Sequence, residues 1–113
     1  MHTLTKSALI LVLLVLLAPA RVLAQASVTG TVRDTSGAIL PGVTVEAASE
    51  ALIEKTRTAT TDSTGQYRII DLRPGTYVLT FTLPGFSTVK REKIELAGTQ
   101  TATIPIEMRV GSI

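Results

Sequence analysis

Along most of this chain apolar and polar residues alternate with a period of two, and the opening stretch is the exception. Ala8 to Ala18 is unbroken apolar sequence. It follows a short, weakly basic start carrying Lys6 and precedes Pro19, Arg21 and the small-residue patterns Val22-Leu23-Ala24 and Ala24-Gln25-Ala26. A basic start, an apolar stretch of about 7–15 residues and small residues at a cleavage point are the order of a secretory signal peptide. A helical leader over residues 1–26 is therefore expected, with cleavage near Ala24 or Ala26 and a single domain over 27–113. A membrane-spanning anchor would need about 20 consecutive apolar residues, and Pro19 and Arg21 end the run too soon.

The alternation begins at Ser27. Ser27 to Arg33 sets Val28, Gly30 and Val32 against Thr29, Thr31 and Arg33, the pattern of a half-buried strand. Asp34-Thr35-Ser36-Gly37 reads as a turn with Gly37 free to take positive φ. Beyond Pro41-Gly42 a second strand carries Val43, Val45 and Ala47 on one face. Ala48 to Leu52 has no pattern and is expected to be a loop. Lys55 to Thr61 is a Thr-rich strand without a strong inner face, which suits a sheet edge. Asp62-Ser63-Thr64-Gly65 turns the chain into Gln66 to Ile70, with Tyr67 and Ile69 inward.

Arg73-Pro74-Gly75-Thr76 predicts a turn in which Pro presets φ and Gly supplies the left-handed residue. Tyr77, Leu79, Phe81 and Leu83 share one face of a fifth strand, Pro84-Gly85 ends it, and Phe86 is expected to fold back onto the core. In the sixth run, Ser87 to Leu96, Val89 has the opposite parity to Ile94 and Leu96, which predicts a bulge near Lys90 to Lys93. The last strand, Gln100 to Met108, turns Ala102, Ile104, Ile106 and Met108 inward. Pro105 lies on its outer parity and cannot donate to a ladder, so this strand belongs at an edge or carries a bulge there. Seven short strands, closely spaced turns and no sustained helical period predict an all-β fold, a seven-stranded antiparallel Greek-key β-sandwich.

Charge matters only once the leader is set aside. The full chain is formally +2, but Lys6 and Arg21 belong to the leader; the nine remaining basic residues balance nine acidic ones. Without a basic surplus, nucleic acid is not an expected partner. The chain has no cysteine, so an exported domain of this size must be held by packing and strand pairing rather than by disulfides.

The sole histidine is His2, in the leader. Ser-His-Asp and Cys-His catalysis and the usual zinc sites are thus closed to the mature chain alone. Carboxylates on strands, Glu46 and Glu107, could in principle form an acid/base pair, but a small sandwich offers little cleft in which to desolvate one member. Asp62 lacks neighbouring acids to complete the six to eight oxygens of a calcium site. The densest charge cluster, Lys90-Arg91-Glu92-Lys93, reads as a docking patch or as a solvated strand that resists edge-to-edge pairing, and the second reading is preferred. The aromatics Tyr67, Tyr77, Phe81 and Phe86 fall on inward parities, which favours core packing over a sugar-stacking platform. No enzyme activity, cofactor or metal is expected.

Together the turns resemble a known family. Val28-Thr29-Gly30-Thr31-Val32 with Asp34, then Gly37-Ala38-Ile39-Leu40-Pro41-Gly42-Val43-Thr44-Val45, are similar to the opening of a carboxypeptidase regulatory-like domain. Thr61-Asp62-Ser63-Thr64-Gly65-Gln66-Tyr67, Leu72-Arg73-Pro74-Gly75-Thr76-Tyr77 and Pro84-Gly85-Phe86 resemble its later turns, in the same order. The resemblance implies a transthyretin-like (prealbumin-like) sandwich with no shared catalytic residues. It also implies a place directly after a signal peptide at the N-terminus of a TonB-dependent outer-membrane receptor of a Gram-negative bacterium, where a plug and a β-barrel would follow. A shortened reading frame, a gene fragment or a free-standing secreted copy are the arrangements this leaves open. The function expected is a non-catalytic exported interaction module in the periplasm or at the outer membrane or cell surface. It would contact a protein partner by a strand edge or loops, the outer membrane entering only as part of a larger receptor. The alternative is a free secreted module that binds a glycan or another small ligand.

Overall fold

The computed structural model describes residues 25–111. Residues 1–24 of the expected leader, with the cleavage point at Ala24, lie outside the described residues; Gln25 and Ala26 lie inside them. Strands β1 (Ala26–Asp34), β2 (Thr44–Ala48), β3 (Thr56–Thr60), β4 (Gln66–Leu72), β5 (Gly75–Thr82), β6 (Val89–Leu96), β7 (Thr101–Thr103) and β8 (Ile106–Met108) form two sheets. One has the order β4-β1-β7, with β8 also paired to β1; the other has the order β3-β2-β5-β6.

The alternation read from the sequence puts the apolar face of each strand into the space between the sheets. Val28 and Val32 from β1, Val45 and Ala47 from β2, Tyr67 and Ile69 from β4, and Tyr77, Leu79 and Phe81 from β5 are all buried. Fully burying a Val, Leu, Ile or Phe side chain is worth about 1.5–3 kcal/mol relative to exposure, which is why strand parity fixes the register. Tyr67 meets Phe81 edge to face, with ring centroids 5.3 Å apart. Phe86 packs half-buried against the core, as its position after Pro84-Gly85 predicts. Strand β1 begins one residue earlier than expected: Ala26 is 1% exposed and pairs with Leu72.

The sandwich departs from a purely antiparallel arrangement at its end. Strands β7 and β8 both run parallel to β1, with Thr29 opposite Thr103 and Val32 opposite Ile106. The last expected strand is split at Pro105, at an edge, for a reason that involves three residues. Ile104 N–H donates to the Thr29 carbonyl at 2.8 Å, while the Ile104 carbonyl turns inward over Gly30 and accepts the Tyr67 hydroxyl at 2.7 Å. A Cβ on Gly30 would collide with that carbonyl and stand 2.9 Å from Tyr67 Cε1. Glycine is required here by close approach, not by positive φ.

Two turns differ in detail from expectation. Gly75 does not supply a left-handed residue: it is the first residue of β5, and its need is for space, since a Cβ there would lie 2.6 Å from Ala51 Cβ. The left-handed residue stands upstream, at Asp71 (φ 59°). There β4 bulges, Ala26 facing Leu72 while Val28 already faces Ile69, and the strand runs on to Leu72 before the chain turns at Arg73-Pro74 into β5. The patternless segment between β2 and β3 is a loop, yet it contributes Leu52, 2% exposed, to the core. Ser49 anchors it, the hydroxyl donating to the Thr76 carbonyl at 2.7 Å.

Candidate interaction edges

A two-sheet sandwich ends in four strand edges, and each presents main-chain groups that only another strand or water can satisfy. The β3 edge is set by the parity of its ladder. Thr61 N–H donates to Val43 and the Lys55 carbonyl accepts from Ser49, and Arg57 and Ala59 face Ala47 and Val45 in register. Odd-numbered residues thus direct their amides toward β2, and Thr56, Thr58 and Thr60 direct theirs outward, where no strand among the described residues pairs. The same three threonines also expose their side chains on the outer face. This is the edge position predicted from their composition.

Strand β4 flanks β3 on the same side of the sandwich, and Arg57 joins them. Its Nη1 donates to the carbonyls of Ile70 (2.8 Å) and Asp71 (2.7 Å), and its Nη2 to Glu54 Oε1 at 2.6 Å. One planar guanidinium therefore caps the carbonyls that the β4 bulge frees, in a geometry that lysine could not copy. The Glu54 carboxyl is held below its ordinary range, first by its own backbone N–H and then by Arg57.

On the opposite side, β6 is the edge of its sheet and carries Lys90-Arg91-Glu92-Lys93, all exposed. The expected bulge is present: Lys93 has φ 58°, and the register shifts opposite Tyr77 and Leu79. The charged cluster is thus a solvated edge strand. The β7–β8 edge is interrupted at Pro105, whose missing N–H falls on the outward parity because Ile104 N–H faces β1. Beyond β8 the chain meets the connection between β5 and β6, where Ser87 N–H donates to the Arg109 carbonyl and Gly111 N–H to the Gly85 carbonyl.

The loops are held from within. Asp34 and Asp62 build the same turn twice. Asp34 Oδ1 accepts from Ser36 N–H, Ser36 Oγ and Ala38 N–H; Asp62 Oδ1 accepts from Thr64 N–H, Thr64 Oγ1 and Gln66 N–H. Gly37 (φ 87°) and Gly65 (φ 75°) complete the two turns. These bonds, that of the Ser36 or Thr64 hydroxyl foremost, hold both carboxyls below their ordinary value. The turn predicted at Asp62 is present, with its oxygen spent on turn donors. Thr61, whose role no sequence pattern revealed, is buried: its Oγ1 donates to the Leu40 carbonyl at 2.6 Å and accepts from Val43 N–H at 2.8 Å.

Other candidates disperse. Glu46 and Glu107 lie exposed on strands of different sheets. Tyr67, Tyr77 and Phe81 are buried. Tyr67 is held by Ile104, Tyr77 donates to the Arg73 carbonyl at 2.6 Å, and burial raises both phenols above their ordinary value. A cavity of about 470 Å³ beside the first Asp turn is lined by Thr31, Arg33, Asp34, Ser36, Pro105 and Glu107 among others, without an aromatic wall. Among the described residues no group of three or more potential ligands could hold a metal ion, and no helix is long and apolar enough to cross a membrane.

These features define a small all-β sandwich module whose chemistry resides in main-chain edges and tight turns. More particularly, the chain belongs to the carboxypeptidase regulatory-like domain family, whose model matches residues 27–109. Solved structures agree on the fold. The chain is 22% identical to a chain of a type II cohesin–X-dockerin complex from Acetivibrio cellulolyticus, at TM-score 0.60, covering 78% of this chain and 60% of that one. It is 20% identical to GBS52, the minor pilin of Streptococcus agalactiae, at TM-score 0.57, covering 81% and 47%. It is 15% identical to catechol 1,2-dioxygenase of Acinetobacter radioresistens, at TM-score 0.60, covering 80% and 53%. The match thus spans about half of the latter two chains. No curated protein matches the sequence.

Proposed function

We propose that this chain is an exported, non-catalytic interaction module, the N-terminal extension of a TonB-dependent outer-membrane receptor or a piece of one, which contacts a protein on the periplasmic side through a strand edge. The observation that carries the reading is the outward row of main-chain groups at Thr56, Thr58 and Thr60, since adding a strand to an open edge gains hydrogen bonds from groups already fixed in place. Family membership supports a module of this kind, and the cohesin–dockerin and pilin relatives are sandwiches of similar fold in protein assemblies. The leader read at residues 1–26 supports export. The sugar-binding alternative needs exposed aromatics at Tyr67 or Phe86; Tyr67 is buried and Phe86 is half-buried against the core, so neither offers a free aromatic face.

The experiment is to read the DNA downstream of the Ile113 codon in every frame and to follow the chain in cell fractions of a Gram-negative host. A plug and barrel continuing in frame or after one shift, with the processed chain at the outer membrane, are the expected results. A clean stop and a processed chain free in the periplasm would replace the receptor by a free secreted module. A chain retained unprocessed in the cytoplasm would defeat the export reading.

A further inference from the structure

Three of the four edges of this sandwich are blunted, each by a different device. At β4 the bulge at Asp71 bends the strand and Arg57 occupies the freed carbonyls. At β6 there are four consecutive charged residues and a second bulge. At β7–β8 there is a proline on the outward parity and a break in the ladder. These are means by which sheets avoid pairing edge to edge. Strand β3 is regular over all five residues, Thr-Arg-Thr-Ala-Thr, without proline, bulge or outward-facing charge.

From this we infer that β3 is a self-association edge, and that its occupant is β3 of a second copy of this chain, antiparallel about a two-fold axis through Thr58. The sequence is self-complementary in that register. Thr58 would exchange both amide bonds with Thr58 of its copy, and Thr56 would do so with Thr60, because the even-numbered residues carry the outward amides. The threonine side chains would form one row on the outer face, where Thr–Thr pairs are favourable neighbours. On the inner face Arg57 would stand beside Ala59 of the copy and not beside another Arg57, so no like charges oppose each other. Arg57 is meanwhile tied back to its own β4 and Glu54. The surface is thus isologous, as a two-fold dimer requires, and the two β3-β2-β5-β6 sheets would become one continuous sheet.

The inference rests on the interaction reading above and narrows it to one edge and one occupant. Two five-residue strands cover less than the roughly 1,000 Å² of a stable interface, so association is expected to be weak and is measured up to about 1 mM protein. The test is sedimentation-equilibrium ultracentrifugation of the exported chain, with Thr58→Lys and Thr58→Pro beside the wild type and thermal unfolding as the control of fold. Lysine at an exposed edge position is tolerated by the monomer but would oppose another lysine across the axis; proline removes an N–H that β2 does not use. Expected is a wild-type dimer whose association weakens at least tenfold in both variants, with concentration-dependent exchange protection at the Thr58 amide. A wild type that stays monomeric throughout, or a dimer that survives both substitutions, overturns the inference. Neither result touches the receptor reading, which is decided by the downstream sequence and the cell fractions.

Discussion

The hydrogen bond from Tyr67 to the Ile104 carbonyl should depend on the absence of a side chain at Gly30, and a double-mutant cycle measures that dependence. Tyr67→Phe keeps the ring against Phe81 and removes only the hydroxyl, which leaves the inward-turned carbonyl without its 2.7 Å donor. Losing one partner of such a pair costs about 1–3 kcal/mol. Gly30→Ala places a methyl group where that carbonyl stands, with main chain as the obstacle, so β7–β8 must move outward; overpacking of this kind costs about 1–3 kcal/mol or more. Once the carbonyl has moved, removing the Tyr67 hydroxyl should cost little. The double variant is therefore expected to be less destabilised than the sum of the singles, by about 1–2 kcal/mol, within the range found for residues in contact. Urea unfolding followed by circular dichroism reads all four corners, and a domain of this size has roughly 4–13 kcal/mol to lose. Additive singles, or a Tyr67→Phe variant as stable as wild type, would refute the account of why β7 and β8 are broken at Pro105.

Other outcomes are equally open to measurement. Arg57→Ala should lower stability by about 1–2 kcal/mol, a partly exposed charged hydrogen bond being worth somewhat less than a buried one, and should speed amide exchange in β3 and β4; Arg57→Lys should not restore either. Thr61→Val should cost about 2–4 kcal/mol, because it strips partners from both the Leu40 carbonyl and Val43 N–H in a buried site, and Thr61→Ser should recover most of that. The lowered carboxyls of Asp34 and Asp62 make stability depend on pH on the acid side. Their contribution is complete above the ordinary carboxylate value and disappears as pH falls through the lowered one. The Asp34→Asn and Asp62→Asn double variant, which keeps an acceptor oxygen, should lie closer to wild type in thermal midpoint at pH 2 than at pH 6; an unchanged gap would contradict the titration.

What the sequence disclosed was what depends on neighbours along the chain. Tyr77, Leu79 and Phe81 alternate with threonines and are buried as read, and the parity conflict between Val89 and Ile94 reappears as the left-handed Lys93. Pro105 was legible as an interruption, since a missing N–H is a local property. The rest depends on what arrives from elsewhere. Gly75 reads as a turn glycine because it follows proline, whereas its need comes from Ala51, brought alongside by the β2–β3 loop. Nothing near Gly30 announces the Ile104 carbonyl. The parallel course of β7 and β8 is a matter of topology that alternation cannot encode, because period two is the same in either direction. The edge character of β3 was visible in its threonines, but the means that blunt β4 required Arg57 to reach across the sandwich, a contact between sheets.

The parallel pairing of β1 with β7 and β8 also has a mechanical side. Ser27, near the start of β1, sits beside Thr101, and Asp34, at its far end, sits beside Met108. The chain thus enters the sandwich at one end and leaves β8 at the other, separated by the length of a nine-residue strand, about 30 Å at 3.3 Å per residue. A pull on the two ends would load the β1–β8 ladder lengthwise, so that its hydrogen bonds share the force and must yield together. In an antiparallel hairpin pulled from its two open ends they would break in succession. Placed in line between two tethered bodies, the sandwich would transmit tension as a stiff link, and its weakest direction would be across the sheets.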